Sequence, residues 1–392
     1  MTLTPDALLT GPRGRRLCLE FALASEQQLG SEWFRLAEMV QEASGPLYPA
    51  DLKGRRYLRR AVFGRRKPPR PPVAQRTPTD VAAVLDDTAL ADPTEYLLRL
   101  VLGDATDLAW YWQEPEGHDQ LIAAAPLRNS LRRVAAHILE ADAAAWWVDD
   151  VDLSDQACVQ FPDIPGFERA GEPPAVLRSW REDQELMELR ALGERRADPT
   201  SNWSGEWWSR PPGMLLRSSP RFSDQAPTVL YLVEDGFGWE TAHTRRLWIP
   251  GSPRVYEIHT SEDWAQLCRE FPLEVTGEKR HDWYRTTGRA GRWVMPDWSA
   301  VAQEYDAVHL SVAGYLTAAG RALHVDTGPA SDTGPATDTG TASVIAGWNP
   351  GETWWLTAGP GLGTELTHWQ LENSLHWRQV GSCAQDEYPP AE

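Results

Sequence analysis

Apolar residues recur at helical spacing through the first half of the chain and shift to short β-type runs in the second. Between Thr79 and Ala170 the spacing predicts helices. Val81, Val84 and Leu85 suit one, and Tyr96, Leu97, Leu100 and Val101 suit another. A long amphipathic stretch from Leu121 to Trp147 carries Leu127, Leu131, Val134, Ile138 and Leu139 on one side and Arg128, Arg132 and Arg133 on the other. Two or three helices packed as a bundle account for this region. Residues 175–196 predict a charged helix whose apolar positions are Leu177, Trp180, Leu186, Leu189 and Leu192. Past the boundary at Asp198 to Trp203 the pattern turns to strands at 228–233, 246–249 and 254–258. A helix then follows at 261–271, with Ser261 as its N-cap and Trp264, Leu267 and Cys268 facing inward.

The rest of the chain is organised around residues 288–316 and 343–357. Pro296 and Asp297 read as a first helical turn, and Trp298, Val301, Ala302 and Tyr305 as one face of that helix. Ala307 to Val312 reads as a strand. Val344, Ile345, Trp348, Trp354, Trp355 and Leu356 read as a strand pair broken by the turn Asn349-Pro350-Gly351. Residues 279–292 read as a basic loop punctuated by glycine. The expected fold class is α+β: a mostly helical domain over residues 1–195, then a Trp-rich α+β domain with a mixed sheet over residues 203–383.

Composition adds limits. A chain of 392 residues, 42% hydrophobic and 24% charged, is long and apolar enough for two cores. No apolar run approaches the roughly 18 residues of a membrane span, and Asp6 followed by GPRGRR is unlike a signal peptide, so the expectation is a cytoplasmic protein away from membranes. Cys18, Cys158, Cys268 and Cys383 are scattered singly and read as buried thiols. Net charge of −18 disfavours nucleic acid except through Lys53 to Arg76, where ten Lys or Arg occur without an acid. That run belongs to a Pro-rich loop at residues 53–78. The Asp-Thr-Gly repeat at residues 326–342 holds nothing that could build a core and reads as a mobile insertion. Of twenty tryptophans, fourteen lie from Trp203 onward, where they serve as core filler or, if exposed, as contact surface.

Chemistry is sparse. There is no P-loop, no GxGxxG after a strand, no HExxH and no GxSxG. His243, His259, His281 and His309 lack metal-ligand spacing, so no metal site is expected. Asp149, Asp150, Asp152 and Asp155 lack the Ca²⁺-loop alternation and read as a solvated helix exit. One loose constellation remains. Arg254 and His259 flank the strand VYEI, Ser311 follows on the next strand, and Glu352 comes on the pair after it. Their order resembles that of ADP-ribosyltransferases, in which the first two hold NAD and the carboxylate stabilises an oxocarbenium-like ribose. Tyr284 and Arg285, on the basic loop, would then meet a pyrophosphate.

The segments GPRGRRLCLEFA, WYWQEPEGHDQLIA with AAAWWVDDVDLSDQACVQF, and RVYEIHTSEDWAQLCREFPLEVT through YDAVHLSVAGYL to GWNPGETWWL carry a further resemblance. Together they are similar to an uncharacterised family of actinomycete cytoplasmic proteins with no assigned function, so the resemblance implies no activity. Two expectations follow. The first is an intracellular binding or assembly protein without catalytic activity, whose cofactors and protein partner are unknown. The alternative is an NAD-consuming, ADP-ribosyltransferase-like enzyme in the C-terminal part.

Overall fold

The computed structural model describes residues 2–30, 34–48, 76–162, 172–326, 340–373 and 376–384. The basic run up to Gln75, and the Asp-Thr-Gly repeat from Thr327 to Thr339, lie outside them.

Helices fill the first half: α1 (Pro5–Leu8), α2 (Pro12–Gln28), α3 (Arg35–Ser44), α4 (Pro78–Asp87), α5 (Glu95–Asp107), α6 (Gly117–Ile122) and α7 (Arg128–Leu139). Local signals start several of them. Thr77 and Asp80 form a capping box on α4, Thr94 caps α5, and proline opens α1, α2 and α4. The single amphipathic stretch expected from Leu121 to Trp147 is divided, with Pro126 in a 3₁₀ turn between α6 and α7 and a second 3₁₀ turn at Asp142–Val148. Helix α2 is the central element, packed against α5, α6 and α7. Its Arg13 and Arg16 are buried and pair with Asp119 at 2.8 and 3.3 Å.

The strands make three groups. β1 (Gln156–Gln160) lies inside the region expected to be helical. It pairs antiparallel with β3 (Thr241–Trp248), which also takes β11 (Gly361–Leu362) and β12 (Glu365–Glu372), and β12 pairs with β13 (His376–Ala384). The second sheet runs β2 (Leu216–Ser218), β10 (Thr353–Trp355), β7 (Ala307–Leu310), β4 (Val255–Ile258). Here β4 and β7 are parallel and the other neighbours antiparallel. The third runs β5 (Pro272–Glu274), β6 (Arg292–Pro296), β9 (Thr341–Ser343), β8 (Leu323–His324). With α8 (Pro173–Glu194), α9 (Ser261–Glu270), α10 (Thr276–Thr287), α11 (Trp298–Glu304) and α12 (Val312–Ala318), the chain is α+β. No helix among the described residues is long and apolar enough to cross a membrane.

Several expectations are corrected at this level. The expected strand at 228–233 is a buried 3₁₀ turn, Thr228–Leu230; a short continuous apolar run does not distinguish a strand from a buried turn by periodicity. Of the strand pair expected around Asn349, only the second arm forms: Val344, Ile345 and Trp348 lie in no strand, following β9 (Thr341–Ser343) of the third sheet, while Trp354 and Trp355 are in β10 beside β7. Pro296 closes β6, and Asp297 is the N-cap of α11, accepting from Ser299 and Ala300. Helix α9 is capped by Thr260, which shares a capping box with Asp263, one residue earlier than expected.

Two helices hide polar faces, and that is why their patterns mislead. Residues 279–292 are mostly helix α10, whose buried positions include Lys279, His281, Asp282 and Trp283 on neighbouring sides, so no apolar stripe marks it. It ends at Gly288, where φ is 72°. In α8 the expected apolar positions Leu186, Leu189 and Leu192 are exposed, while Gln184, Glu188 and Ala191 are buried with Leu177. Glu188 explains the inversion. Its two carboxylate oxygens accept the N–H groups of Gly277 and Glu278 at 2.7 and 2.8 Å, supplying the cap that Val275 lacks at the start of α10.

One cluster of buried apolar residues runs from Leu3 in the helical half to Leu356 beside the second sheet. At its centre Trp264, Trp298 and Trp348 meet with ring centroids 5.8 to 6.3 Å apart. Each indole N–H has an acceptor: the Ser343 hydroxyl at 2.9 Å, the Ser209 carbonyl at 3.2 Å and the Glu352 carbonyl at 3.1 Å. Cys18, Cys158 and Cys268 are buried, as expected, and burial pushes the Cys268 thiol up to about 12.

Truncating Trp298→Ala is expected to lower unfolding stability by about 3 to 5 kcal/mol in a urea titration. Trp298→Phe, which keeps a ring but orphans the Ser209 carbonyl, should lose about 1 to 3 kcal/mol. A Phe variant as stable as the parent would mean that the indole N–H contributes nothing. In α8, Glu188→Ala should cost about 1 to 3 kcal/mol through the uncapped N–H groups of α10. The neighbouring Leu189→Ala should stay within about 0.5 kcal/mol of the parent protein. The reverse order would mean that the helix presents its leucines to the core.

Candidate functional site

Strand register places a row of polar side chains across the second sheet. Glu257 on β4 is level with His309 on β7, His309 with Thr353 on β10, and Thr353 with Ser218 on β2. Level residues share a face, and His259, two positions past Glu257, projects on that face too. The row is hydrogen-bonded through the sheet. His309 Nδ1 meets Thr353 Oγ1 at 2.8 Å, and the Ser218 hydroxyl donates to Gln156 Oε1 at 2.7 Å and accepts the Trp355 indole N–H at 2.9 Å.

The β4 end of this row is covered by the segment that follows the 3₁₀ turn at Asp142–Val148. Val151 N–H donates to Glu257 Oε1 at 3.2 Å, and Asp150 Oδ1 lies 2.9 Å from His259 Nε2. One ligand-type atom from each of Asp150, Glu257 and His259 lies within 4.8 Å of the others, the one such group among the described residues. Glu257 Oε2 and His259 Nδ1 are buried without hydrogen-bond partners. Burial, reinforced by Asp150 and opposed by the Val151 N–H, pushes the Glu257 carboxyl up to about 7. Burial, with His259 alongside, holds His309 down to about 3, so its imidazole is neutral at ordinary pH.

A cavity of about 240 Å³ opens beside these groups, where β7 runs into α12. The carboxyl ends of parallel strands are the usual place for ligands in sheets of this kind. Five carboxylates line it, Glu95, Asp149, Asp150, Asp152 and Asp155, against one guanidinium, Arg221. Arg221 is committed to Asp155 and Glu95 to Arg99. His309, Ser311, Gly351 and Thr228 also form its wall. Thr228 is 1% exposed, and its hydroxyl has no hydrogen-bond partner. Gly351 has φ 75°, and a Cβ there would sit 3.8 Å from that hydroxyl. A second cavity of about 270 Å³, beside Arg13, Arg15 and Arg321, also contains Asp119, Glu116 and Glu114. Its charges are balanced, and Asp119 is already paired with Arg13 and Arg16.

The sequence-predicted trio is spread along β7 rather than gathered. Arg254 precedes β4 at the level of Asp306, the amino end of β7; it is exposed, its backbone N–H bonds to Asp306 Oδ2 at 2.8 Å, and its Nε lies 3.6 Å from the same oxygen. Glu352 precedes β10 at the level of Leu310, the carboxyl end of β7. Four residues of strand and two strand spacings put their backbones roughly 16 Å apart. Glu352 is buried, with Asn349 Nδ2 at 3.2 Å and Arg217 Nε at 3.8 Å; burial raises its carboxyl, against the pull of Arg217 and Arg210. Ser311 is the N-cap of α12 rather than a strand residue. Its hydroxyl accepts Gly314 N–H at 3.0 Å and donates to the Ile258 carbonyl at 3.2 Å. Tyr284 and Arg285 sit on helix α10, not on a loop, and the Arg285 guanidinium is engaged by Asp282 and the carbonyls of Trp112 and Trp203.

Sequence reasoning misses the groups that the fold assembles. Asp150 reads as part of a solvated exit, and His259 and His309 lack ligand spacing along the chain. A signal is nevertheless present in VYEIH: Glu257 and His259 alternate on one face of a strand, and His309 interrupts a second apolar strand that proves to be its neighbour. No family model, curated protein or solved structure matches the chain, so any functional reading stands on this geometry alone.

Because Ser311 caps α12, Ser311→Ala should lower stability by about 1 kcal/mol, and Ser311→Thr or Ser311→Asn, which keep both an acceptor and a donor, should restore most of it. A thermal melt of the three variants measures this. Equal losses in all three would point to a role for the serine beyond capping.

Proposed function

We propose that this chain is a binding protein for a small cationic ligand, held in the acidic cavity at the carboxyl end of β4 and β7. The charge of the lining carries this reading: of five carboxylates around about 240 Å³, Asp155 is paired with Arg221 and Glu95 with Arg99, which leaves Asp149, Asp150 and Asp152 with no arginine partner among the described residues. A volume slightly below the range of ordinary organic-ligand pockets suits a metal ion with its waters or a short amine. The buried Thr228 hydroxyl supports a polar occupant, since an unpartnered hydroxyl in a dry wall costs free energy that a ligand or water would recover. An ADP-ribosyltransferase-like centre finds no support here, because Arg254 and Glu352 lie at opposite ends of β7.

Isothermal titration with zinc chloride, manganese chloride and 1,4-diaminobutane tests the reading. At least one cation is expected to bind with a Kd below about 0.1 mM, and the double variant Asp149→Asn/Asp150→Asn should weaken it tenfold or more. Absence of binding by all three, or binding indifferent to the double variant, would overturn the proposal.

A further inference from the structure

We infer that Asp150, Glu257 and His259 form a site for one divalent transition-metal ion, which would be the cation of the acidic cavity. The inference rests on the binding reading above and names its ligand class.

Three observations support it. The donors come from separate places in the fold, a strand residue, the residue just past that strand and a segment of the helical half, yet their ligand atoms converge within 4.8 Å. Ligand atoms bound about 2.0 to 2.2 Å from a tetrahedral Zn²⁺ sit roughly 3.3 Å from one another. The 2.9 Å between Asp150 Oδ1 and His259 Nε2 is therefore near a coordinating separation already, and only Glu257 has to shift. Second, one donor is incompletely used. Glu257 Oε2 is buried and unpartnered, and the Asp150–His259 contact does not satisfy it. Third, an outer contact that would aim one ligand exists: Val151 N–H holds the other oxygen of Glu257, and Asp263 fixes the chain at His259 by accepting its backbone N–H at 3.0 Å.

The donor set selects the metal. One imidazole with two carboxylates suits Zn²⁺, Co²⁺, Mn²⁺ or Fe²⁺ better than Ca²⁺ or Mg²⁺, which prefer all-oxygen shells. Three protein ligands leave at least one coordination position open. Asp150 lines the cavity as well as belonging to the cluster, so an open position would be reached from there by water. A simple ion pair between Asp150 and His259 is the competing account, and it requires no metal.

The test uses the full-length, tag-free protein after removal of metal by chelation. Zn²⁺ is titrated calorimetrically, Co²⁺ is followed by its visible absorption, and 1,4-diaminobutane is titrated in parallel. One Zn²⁺ per chain with a Kd of micromolar or tighter is expected, together with Co²⁺ bands. Asp150→Asn should weaken Zn²⁺ binding tenfold or more, and His259→Ala should abolish the Co²⁺ bands. The Asp150 side chain is 80% exposed, so its variant should fold even if His259→Ala does not. Diamine binding that responds to Asp150→Asn, with no Zn²⁺ or Co²⁺ binding, overturns the metal site and leaves the cationic-ligand reading standing. Binding of neither overturns both. Zn²⁺ binding unchanged in Asp150→Asn and His259→Ala places the ion elsewhere and also overturns the inference.

Discussion

An indole can be buried cheaply only if its N–H finds an acceptor, and the second half of this protein is arranged around that requirement. Trp264, Trp298 and Trp348 occupy one region of the core, and each reaches a different acceptor, from β9, from the loop before β2 and from the residue preceding β10. The first ties α9 to β9, the second ties α11 to the loop before β2, and the third closes the turn that leads into β10. Trp355 and Trp369 do the same for the neighbouring strands through Ser218 and Thr244. Trp293 and Trp354 lack an N–H acceptor, and each carries a guanidinium over its ring instead, Arg289 at 4.8 Å and Arg210 at 5.2 Å.

The candidate site depends on this framework. Trp348 bonds to the carbonyl of Glu352, the residue that leads into β10, and β10 supplies the Thr353 that holds His309. On the other side, the chain between the helical half and β1 lies over Glu257 and His259. Residues from both halves of the chain are therefore needed to form the cluster, and the buried apolar residues beneath them make one continuous core. A row of Glu257, His309, Thr353 and Ser218, the last three of them buried, is an expensive thing to place in a sheet. Three of the four are hydrogen-bonded within the row or to its neighbours, while Glu257 is left with one unpartnered oxygen beside an acidic cavity. That asymmetry is what turns a structural row into a binding proposal.

Much of the architecture is legible in apolar spacing. The α4 and α5 helices, the inner face of α9, the helix beginning at Trp298 and the strands β4 and β7 follow from it, because each buries one face and exposes another or is a short apolar run between turns. Where an element buries its polar side, that signal fails. Helix α10 reads as a loop because Lys279 and Asp282 are inside with Trp283, and the buried face of α8 is misread because Glu188 turns inward to cap α10.

Of the candidate site, Ser311 and His259 stand out as individual residues, and nothing along the chain connects Asp150, Glu257 and His309 to them. The sequence by itself determined the α+β class, the alternation that puts Glu257 and His259 on one strand face, and the Trp-rich character of the core. These are local properties, set by residue type and by periods of two and 3.6 residues. Only the tertiary structure decided that β4 and β7 lie side by side in parallel, that Asp150 reaches across 107 positions of sequence to β4, and that Arg254 and Glu352 stand at opposite ends of β7. Those facts follow from which apolar faces find one another during packing, and no spacing within a single segment encodes that choice.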